Sequence, residues 1–324
     1  QAALDFRHVG RYFLFLHSHH ERLRLLPKLL RSARRAFGQE VAEHAATARE
    51  LHRYQNQLED LVRDPALIRR RLAHMHRSGI EMASFTGGEP TLVQGLDDLI
   101  AAGREAGLRH VDLQTNGLLL ARPDRVRELA ARGLTSVFLS LHSADAGVHD
   151  ALLRVPGAFD KAMACIENCL DAGVEVRYNC VLTTRNLEGT AGPVALVELV
   201  ARLHGGGGAQ VNLSFVALQG WALDHPELVP RLSRAAPRMQ EAIEAGLRLG
   251  LDIRIPGLCG IPVCQLPGFE EHFDEHRDPG PPPRLATRGY GPACDACPHR
   301  PSCSGFWKAY LDRFGTDELV IRSG

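Results

Sequence analysis

Phe85-Thr86-Gly87-Gly88-Glu89-Pro90-Thr91-Leu92 is the stretch on which the reading of this chain turns. It follows Met82-Ala83-Ser84, a short run that reads as a buried strand. Two glycines, a carboxylate and a proline at a strand end make a turn with exposed backbone groups. Gly87 and Gly88 can adopt positive φ and let a ligand come close to the main chain. Pro90 fixes the exit of the turn and has no N–H to donate. Such a turn can hold an ammonium group between carbonyls and a carboxylate. A plain strand-to-helix turn is the competing reading.

Outward from this turn the sequence keeps a βα rhythm. Candidate strands lie at 82–85, 110–113, 136–141, 174–182, 210–217 and 251–255. Amphipathic helical stretches at 96–106, 124–132, 159–172, 194–203 and 237–249 separate them. Each ends near a glycine, at Gly107, Gly133, Gly173, Gly205 or Gly250. A glycine there is the expected helix stop. Strands alternating with helices of this length predict a parallel sheet with right-handed crossovers. In barrels built this way the ligand sits at the C-terminal ends of the strands. Gly87-Gly88-Glu89, Thr115-Asn116-Gly117, His142-Ser143-Ala144 and Thr184-Arg185-Asn186 all fall on that edge. A first strand is expected at 12–17, followed by an Arg- and His-rich helical region to about residue 80. The Gly205–208 run and the proline-rich 278–283 read as loops, the latter a linker to a short C-terminal module.

The 324 residues suffice for one large α/β domain with a small appendage. Apolar residues are 44% and charged residues 23%, an ordinary globular composition. Lys and Arg (38) balance Asp and Glu (38), so no global field draws the chain to nucleic acid or membrane. No apolar run reaches the ~18 residues that span a bilayer. The expected location is cytoplasmic. Eight cysteines in such a chain do not make a disulfide scaffold, and five of them lie between Cys259 and Cys303. That clustering favours a metal.

Cys294-Asp295-Ala296-Cys297 and Cys303 form C-x-x-C-x5-C, with Cys259 and Cys264 upstream. Two thiolates two residues apart can grip one metal centre from a tight turn. A third from the next turn and a fourth from a distant loop would close the shell. Four thiolates suit tetrahedral zinc or an iron–sulfur cluster. Cys264 is the expected fourth ligand, placed by Pro262-Val263 on a rigid loop, with Cys259 in reserve. Cys165, Cys169 and Cys180 read as reduced core residues, although Cys165 and Cys169 share a helix face.

Together these residues resemble the radical S-adenosylmethionine (SAM) superfamily, in its branch with a SPASM or twitch-like C-terminal module. The resemblance rests on Thr86–Pro90, Gln114-Thr115-Asn116-Gly117, Leu139–His142 leading to Val155-Pro156-Gly157, Asn179–Asn186, and Cys294–Gly305 with Tyr310 and Gly315. It implies an α/β fold, a partial (β/α)6 TIM-like barrel with a small cysteine-rich module. The divisions would be a first strand plus atypical region (1–80), the barrel (81–256) and the module (257–324). It implies a SAM site of Gly87, Gly88 and Glu89 with Pro90 and Asn116, Ser140 at the ribose, and Asn179 and Arg185 near the ribose or methionine carboxylate. One auxiliary [4Fe–4S] cluster would sit on Cys264, Cys294, Cys297 and Cys303. The branch commonly modifies peptides or natural products, so a peptide or small molecule is the expected substrate, with a partner protein as a further expectation.

One departure stands out. The family's catalytic [4Fe–4S] cluster hangs on C-x3-C-x2-C just after the first strand. Here that place reads Leu16-His17-Ser18-His19-His20-Glu21-Arg22-Leu23-Arg24-Leu25-Leu26-Pro27, and no cysteine precedes Cys165. Leu, Arg and Pro cannot replace thiolates on iron. Three readings compete. The chain could bind SAM or a partner without radical chemistry. His17 and His19 could hold a divalent ion for a metal-dependent hydrolase. Or the gene carries a one-base change of frame, since CTG followed by a codon starting with C, for Leu23-Arg24 or Leu26-Pro27, contains TGC.

Overall fold

Seven parallel strands stand side by side in chain order, each paired with the next. The computed structural model describes residues 12–15, 65–218, 221–257, 259–277 and 287–319. The strands are β1 (Tyr12–Phe15), β2 (Met82–Thr86), β3 (His110–Thr115), β4 (Ser136–Ser140), β5 (Glu175–Leu182), β6 (Gln210–Phe215) and β7 (Asp252–Arg254). Helices α1 (Pro65–Arg77), α2 (Leu96–Glu105), α3 (Pro123–Arg132), α4 (Ala146–Leu153), α5 (Ala158–Asp171), α6 (Pro193–Leu203) and α7 (Leu232–Arg248) occupy the crossovers. The sheet thus has one strand more than six βα units require. His17, His19 and the 278–283 linker lie outside the described residues, as does most of the 1–80 segment.

Register sorts the side chains into two sets. Ala83, Phe85, Val111, Leu113, Val137, Leu139, Val176, Tyr178, Val211 and Leu213 are buried and form the hydrophobic core with the helices. The alternate residues are polar. Ser84 stands opposite Asp112, Asp112 opposite Ser136, Ser140 opposite Asn179, and Asn179 opposite Asn212. Successive side chains of a strand point to opposite faces, so this alternation gives the sheet an apolar outer face and a polar inner one. TIM barrels fill their interior with layers of bulky branched residues. This sheet instead carries hydroxyls, amides, an ion pair and the Phe138 ring on that face, which leaves room for a polar ligand.

One helix was not among those expected, and another has different bounds. Residues 146–153 were assigned no element from the sequence. They form α4, capped at its start by Asp145, whose carboxylate accepts from Val148 N at 2.9 Å. The helix stops instead at Arg154 in the left-handed region, φ 59°. Helix 237–249 begins earlier, at Leu232, and carries Pro237 inside it. The extra turn buries Leu232, Ala235 and Ala236. Pro237 lies so near the start that it forfeits only the bond to the Ser233 carbonyl. The glycine stops themselves adopt positive φ at 107, 133, 173, 205 and 250.

After β7 the chain stays on the sheet. Ile255 bridges to Phe273 beside β7. A two-stranded ribbon, β8 (Arg288–Gly289) and β9 (Phe306–Trp307), leads into α8 (Lys308–Phe314). Phe306 and Tyr310 pack edge-on against Phe215 at the end of β6, with ring centroids 5.4 and 5.9 Å away. The Tyr310 hydroxyl accepts from Leu232 N at 2.8 Å and donates to the Glu318 carboxylate. The cysteine-bearing segment is therefore docked on the sheet and on α7 by buried contacts.

Candidate functional site

Gly87 and Gly88 both take positive φ, 103° and 55°, as the end of β2 turns into a short 3-10 turn over Pro90–Leu92. Pro90 is buried and starts that turn. Glu89 is the hub. Its Oε1 accepts from Thr91 N (3.2 Å), Thr91 Oγ1 (2.6 Å) and Thr115 Oγ1 (2.6 Å), and its Oε2 accepts from Asn116 N (2.9 Å). One carboxylate therefore closes its own turn and clamps the Thr115-Asn116-Gly117 turn of the next strand. A carboxylate offers about four lone-pair sites. Oε2, with a single bond, keeps acceptor capacity for a ligand N–H. Gly117 has φ 79°, and a Cβ there would lie 2.7 Å from Leu139 Cδ1, so only glycine fits the turn.

A cavity of about 180 Å³ opens at these strand ends, lined by Thr86, Gly88, Glu89, Gln114, Thr115, Asn116, Phe138, Ser140 and Asn179. Of the expected site residues, Gly88, Glu89, Asn116, Ser140 and Asn179 meet here, and Gly87 is adjacent in the turn. Arg185 does not. It is exposed on the loop after β5 and does not line the cavity. Its neighbour Asn186 is buried. Asn186 Oδ1 accepts from Thr183 N (2.6 Å), and its Nδ2 donates to the His142 and Val181 carbonyls (2.6 and 3.0 Å). Asn186 thus ties the loop after β5 to the residue after β4, a structural task that the sequence motif did not reveal.

Thr86, Gln114 and Phe138 were not expected to line the site. The period-2 alternation from Ser84 and Asp112 was the available signal. Thr86 Oγ1 donates to Gln114 Oε1 at 2.7 Å and Ser214 Oγ donates to Asn179 Oδ1 at 2.7 Å. Each bond occupies an amide oxygen and turns the NH2 end into the available donor. The cavity therefore presents amide and hydroxyl donors, one ring face and one carboxylate. No Lys or Arg is among its described lining residues. Below it Asp112 Oδ1 accepts from Arg177 Nη2 (2.6 Å) and Ser136 Oγ (2.8 Å), while Oδ2 accepts from Ser84 Oγ (2.5 Å). The Arg177 guanidinium sits 5.5 Å from the Phe138 ring centroid. This layer floors the cavity.

A second, much smaller space of about 20 Å³ is lined by Cys264, Cys294, Cys297 and Cys303 with Pro262, Tyr290, Arg300 and Phe306 among others. The four cysteines expected to share a centre thus face one space. Cys259 is exposed and does not line it. Its carbonyl instead accepts from Phe215 N at 2.6 Å, holding the loop to β6. Burial, and then the neighbouring Glu275 and thiols, push the Cys303 thiol up to about 12; burial likewise raises Cys264. A cation between these sulfurs would relieve that cost, because it stabilises thiolates. Among the described residues no three Cys, His, Asp or Glu side chains are close enough to grip a single ion. Cys165, Cys169 and Cys180 are core residues, fully buried. The hydrogen bond between Cys165 and Cys169, and then burial, raise the Cys165 thiol well above its usual range.

Residues 46–189 match the family model of the Radical SAM superfamily. Among curated relatives, the chain is 38% identical over 103 residues to the AdoMet-dependent heme synthase of Nitratidesulfovibrio vulgaris, covering 32% of this chain and 28% of that protein. It is 36% identical over 105 residues to the GTP 3',8-cyclase of Clostridium perfringens, covering 32% of each. The chain thus spans less than a third of the length of these relatives. Among solved structures it is similar to Streptococcus suis SuiB (TM-score 0.47, 18% identity, 58% of this chain and 42% of that one). It is also similar to methylornithine synthase (TM-score 0.46, 14% identity, 59% and 54%). Among the described residues no helix is long and apolar enough to cross a membrane.

Proposed function

We propose that this chain binds SAM in the cavity at the ends of β2–β5 and an iron–sulfur cluster in the cysteine cavity, as part of a peptide- or natural-product-modifying system. The observation that carries the reading is the convergence of Gly88, Glu89, Asn116, Ser140 and Asn179 on one polar cavity without a basic side chain. SAM is an ammonium, a sulfonium, a ribose and a flat base. A carboxylate with spare capacity suits its amino group. Hydroxyl and amide donors suit the ribose, and Phe138 offers a ring face to the base. A cavity without cations is poorly matched to a polyphosphate. The carboxylate's remaining lone pairs hold the amino group, the Gly87-Gly88 backbone admits it without a Cβ in the way, and the Asn179 and Gln114 amides orient the hydroxyls.

The four thiols line one space and are the donor set that an auxiliary cluster takes. A cluster there would supply electron transfer or a site for substrate ligation. No second set of thiols fits the catalytic cluster. No cysteine precedes Cys165, and Cys165, Cys169 and Cys180 are spent in the core. That observation favours a second reading, a SAM- or peptide-binding partner subunit without radical chemistry.

Anaerobic reconstitution with iron and sulfide separates the two. The expected result is about four irons per chain, no 5′-deoxyadenosine, and SAM binding by equilibrium dialysis that Glu89→Ala abolishes. About eight irons with deoxyadenosine release would refute the partner reading. SAM binding unaffected by Glu89→Ala would refute the assigned cavity. Cys294→Ala should remove the iron; unchanged iron would sink the cluster assignment.

A further inference from the structure

Arg288 is 5% exposed, on β8, next to Gly289 of the cysteine cavity's lining, with Cys259, Glu275 and Cys303 among the titratable groups around it. Burying a guanidinium is costly unless it is paired and hydrogen-bonded, so its contacts indicate what it is there to do. Its Nη1 donates to the Gly305 carbonyl at 2.8 Å, and its guanidinium lies over the Trp307 ring, 4.2 Å from the centroid. Gly305 faces Cys303 with its other polar group: its N–H donates to Cys303 Sγ at 3.3 Å. Gly305 has φ 76°, and a Cβ there would meet the Gly289 carbonyl at 2.5 Å. The backbone is therefore pressed against β8 in a conformation that only glycine allows.

We propose that Arg288 is a positioning residue for the cysteine site: it pins Gly305 so that its N–H stays on Cys303 Sγ, and it sets a permanent positive charge on the Cys303 side of the site. The proposal rests on the cluster reading above. Four thiolates leave a bound cluster net negative. An N–H···S bond and a buried cation both offset that charge, and such contacts govern the potential and retention of iron–sulfur centres. Arg suits the task because its planar fork can donate to a carbonyl while its face stacks on an indole. Lys would keep the charge and lose the fork.

The test uses the full chain reconstituted anaerobically with iron and sulfide. Iron loss to a chelator and the midpoint potential are read on the parent, Arg288→Met, Arg288→Lys and Cys294→Ala. Arg288→Met is expected to weaken iron retention by about 10–100-fold and to lower the potential. Arg288→Lys is expected to lose iron faster than the parent while keeping a potential above that of Arg288→Met. If Arg288→Met does not fold, the comparison of Arg288→Lys with the parent decides, and unchanged iron retention there overturns the proposal. A lower melting midpoint with unchanged potential and retention also overturns it, since that is what a merely structural arginine would give. Iron retained by Cys294→Ala would instead indict the cluster reading itself.

Discussion

Asp112 is 1% exposed and accepts from Arg177, Ser136 and Ser84, side chains of three other strands. A buried carboxylate survives only with such partners. Asp112→Ala would strand the Arg177 guanidinium and is expected to cost about 3–5 kcal/mol, measured by urea denaturation. The double variant Asp112→Leu, Arg177→Met is expected to recover most of that loss, because it removes the unpaired charge. A double variant as unstable as Asp112→Ala would show that the layer is not held by its ion pair. The types of these residues were legible in the sequence, where Ser84, Asp112, Ser136 and Arg177 alternate with apolar neighbours. Their pairing was not, because it depends on a register spanning four strands. Glu89 is a similar case. Its motif marked it as a ligand for an ammonium group, but its four internal bonds make it equally the clamp between two turns.

At the scale of the element, two histidines hold the loop after β4 to the end of β5 and to α4. His142 Nδ1 accepts from Val181 N and His149 Nδ1 accepts from His142 N, both at 3.2 Å. Burial pushes both rings down to about 4, and for His142 the neighbouring His149 adds to the effect. In the unfolded chain they return to the ordinary value near 6.5. The unfolded state therefore binds protons first as the pH drops. Stability is complete above pH 6.5 and falls from there toward pH 4, by about 1.4 kcal/mol per unit for each ring. Chemical denaturation across that window checks the slope, and His149→Leu is expected to reduce it. A slope unchanged in that variant would mean that His149 does not titrate with folding. Helix α4, which carries His149, is capped by Asp145. Its existence was missed because its stop is Arg154 in the left-handed region, a conformation that tertiary packing imposes and composition does not announce.

Over the whole molecule, the cysteine-bearing segment and the barrel share one core. Phe215, Phe306, Tyr310 and Phe314 form a continuous run of ring contacts from β6 to α8. The Tyr310 hydroxyl joins Leu232 at the start of α7 to Glu318. Tyr310→Phe would leave the Leu232 N–H buried without a partner and is expected to cost about 1–3 kcal/mol. If the segment unfolds with the barrel, a single cooperative transition shifts in this variant. Two separate transitions, with only one displaced, would mean that the segment is an independent unit.

The order of strands and helices, the strand-end position of the Gly-Gly-Glu turn and the grouping of the late cysteines were all legible in the chain. Each is a local pattern, carried by hydrophobic period, glycine stops or spacing. The polar barrel interior, the separation of Arg185 from the cavity, the exclusion of Cys259 from the cysteine set and the place of Arg288 near Cys303 came only from the tertiary structure. These depend on register between strands and on contacts between residues far apart in the chain, and no single stretch of sequence encodes such a distance.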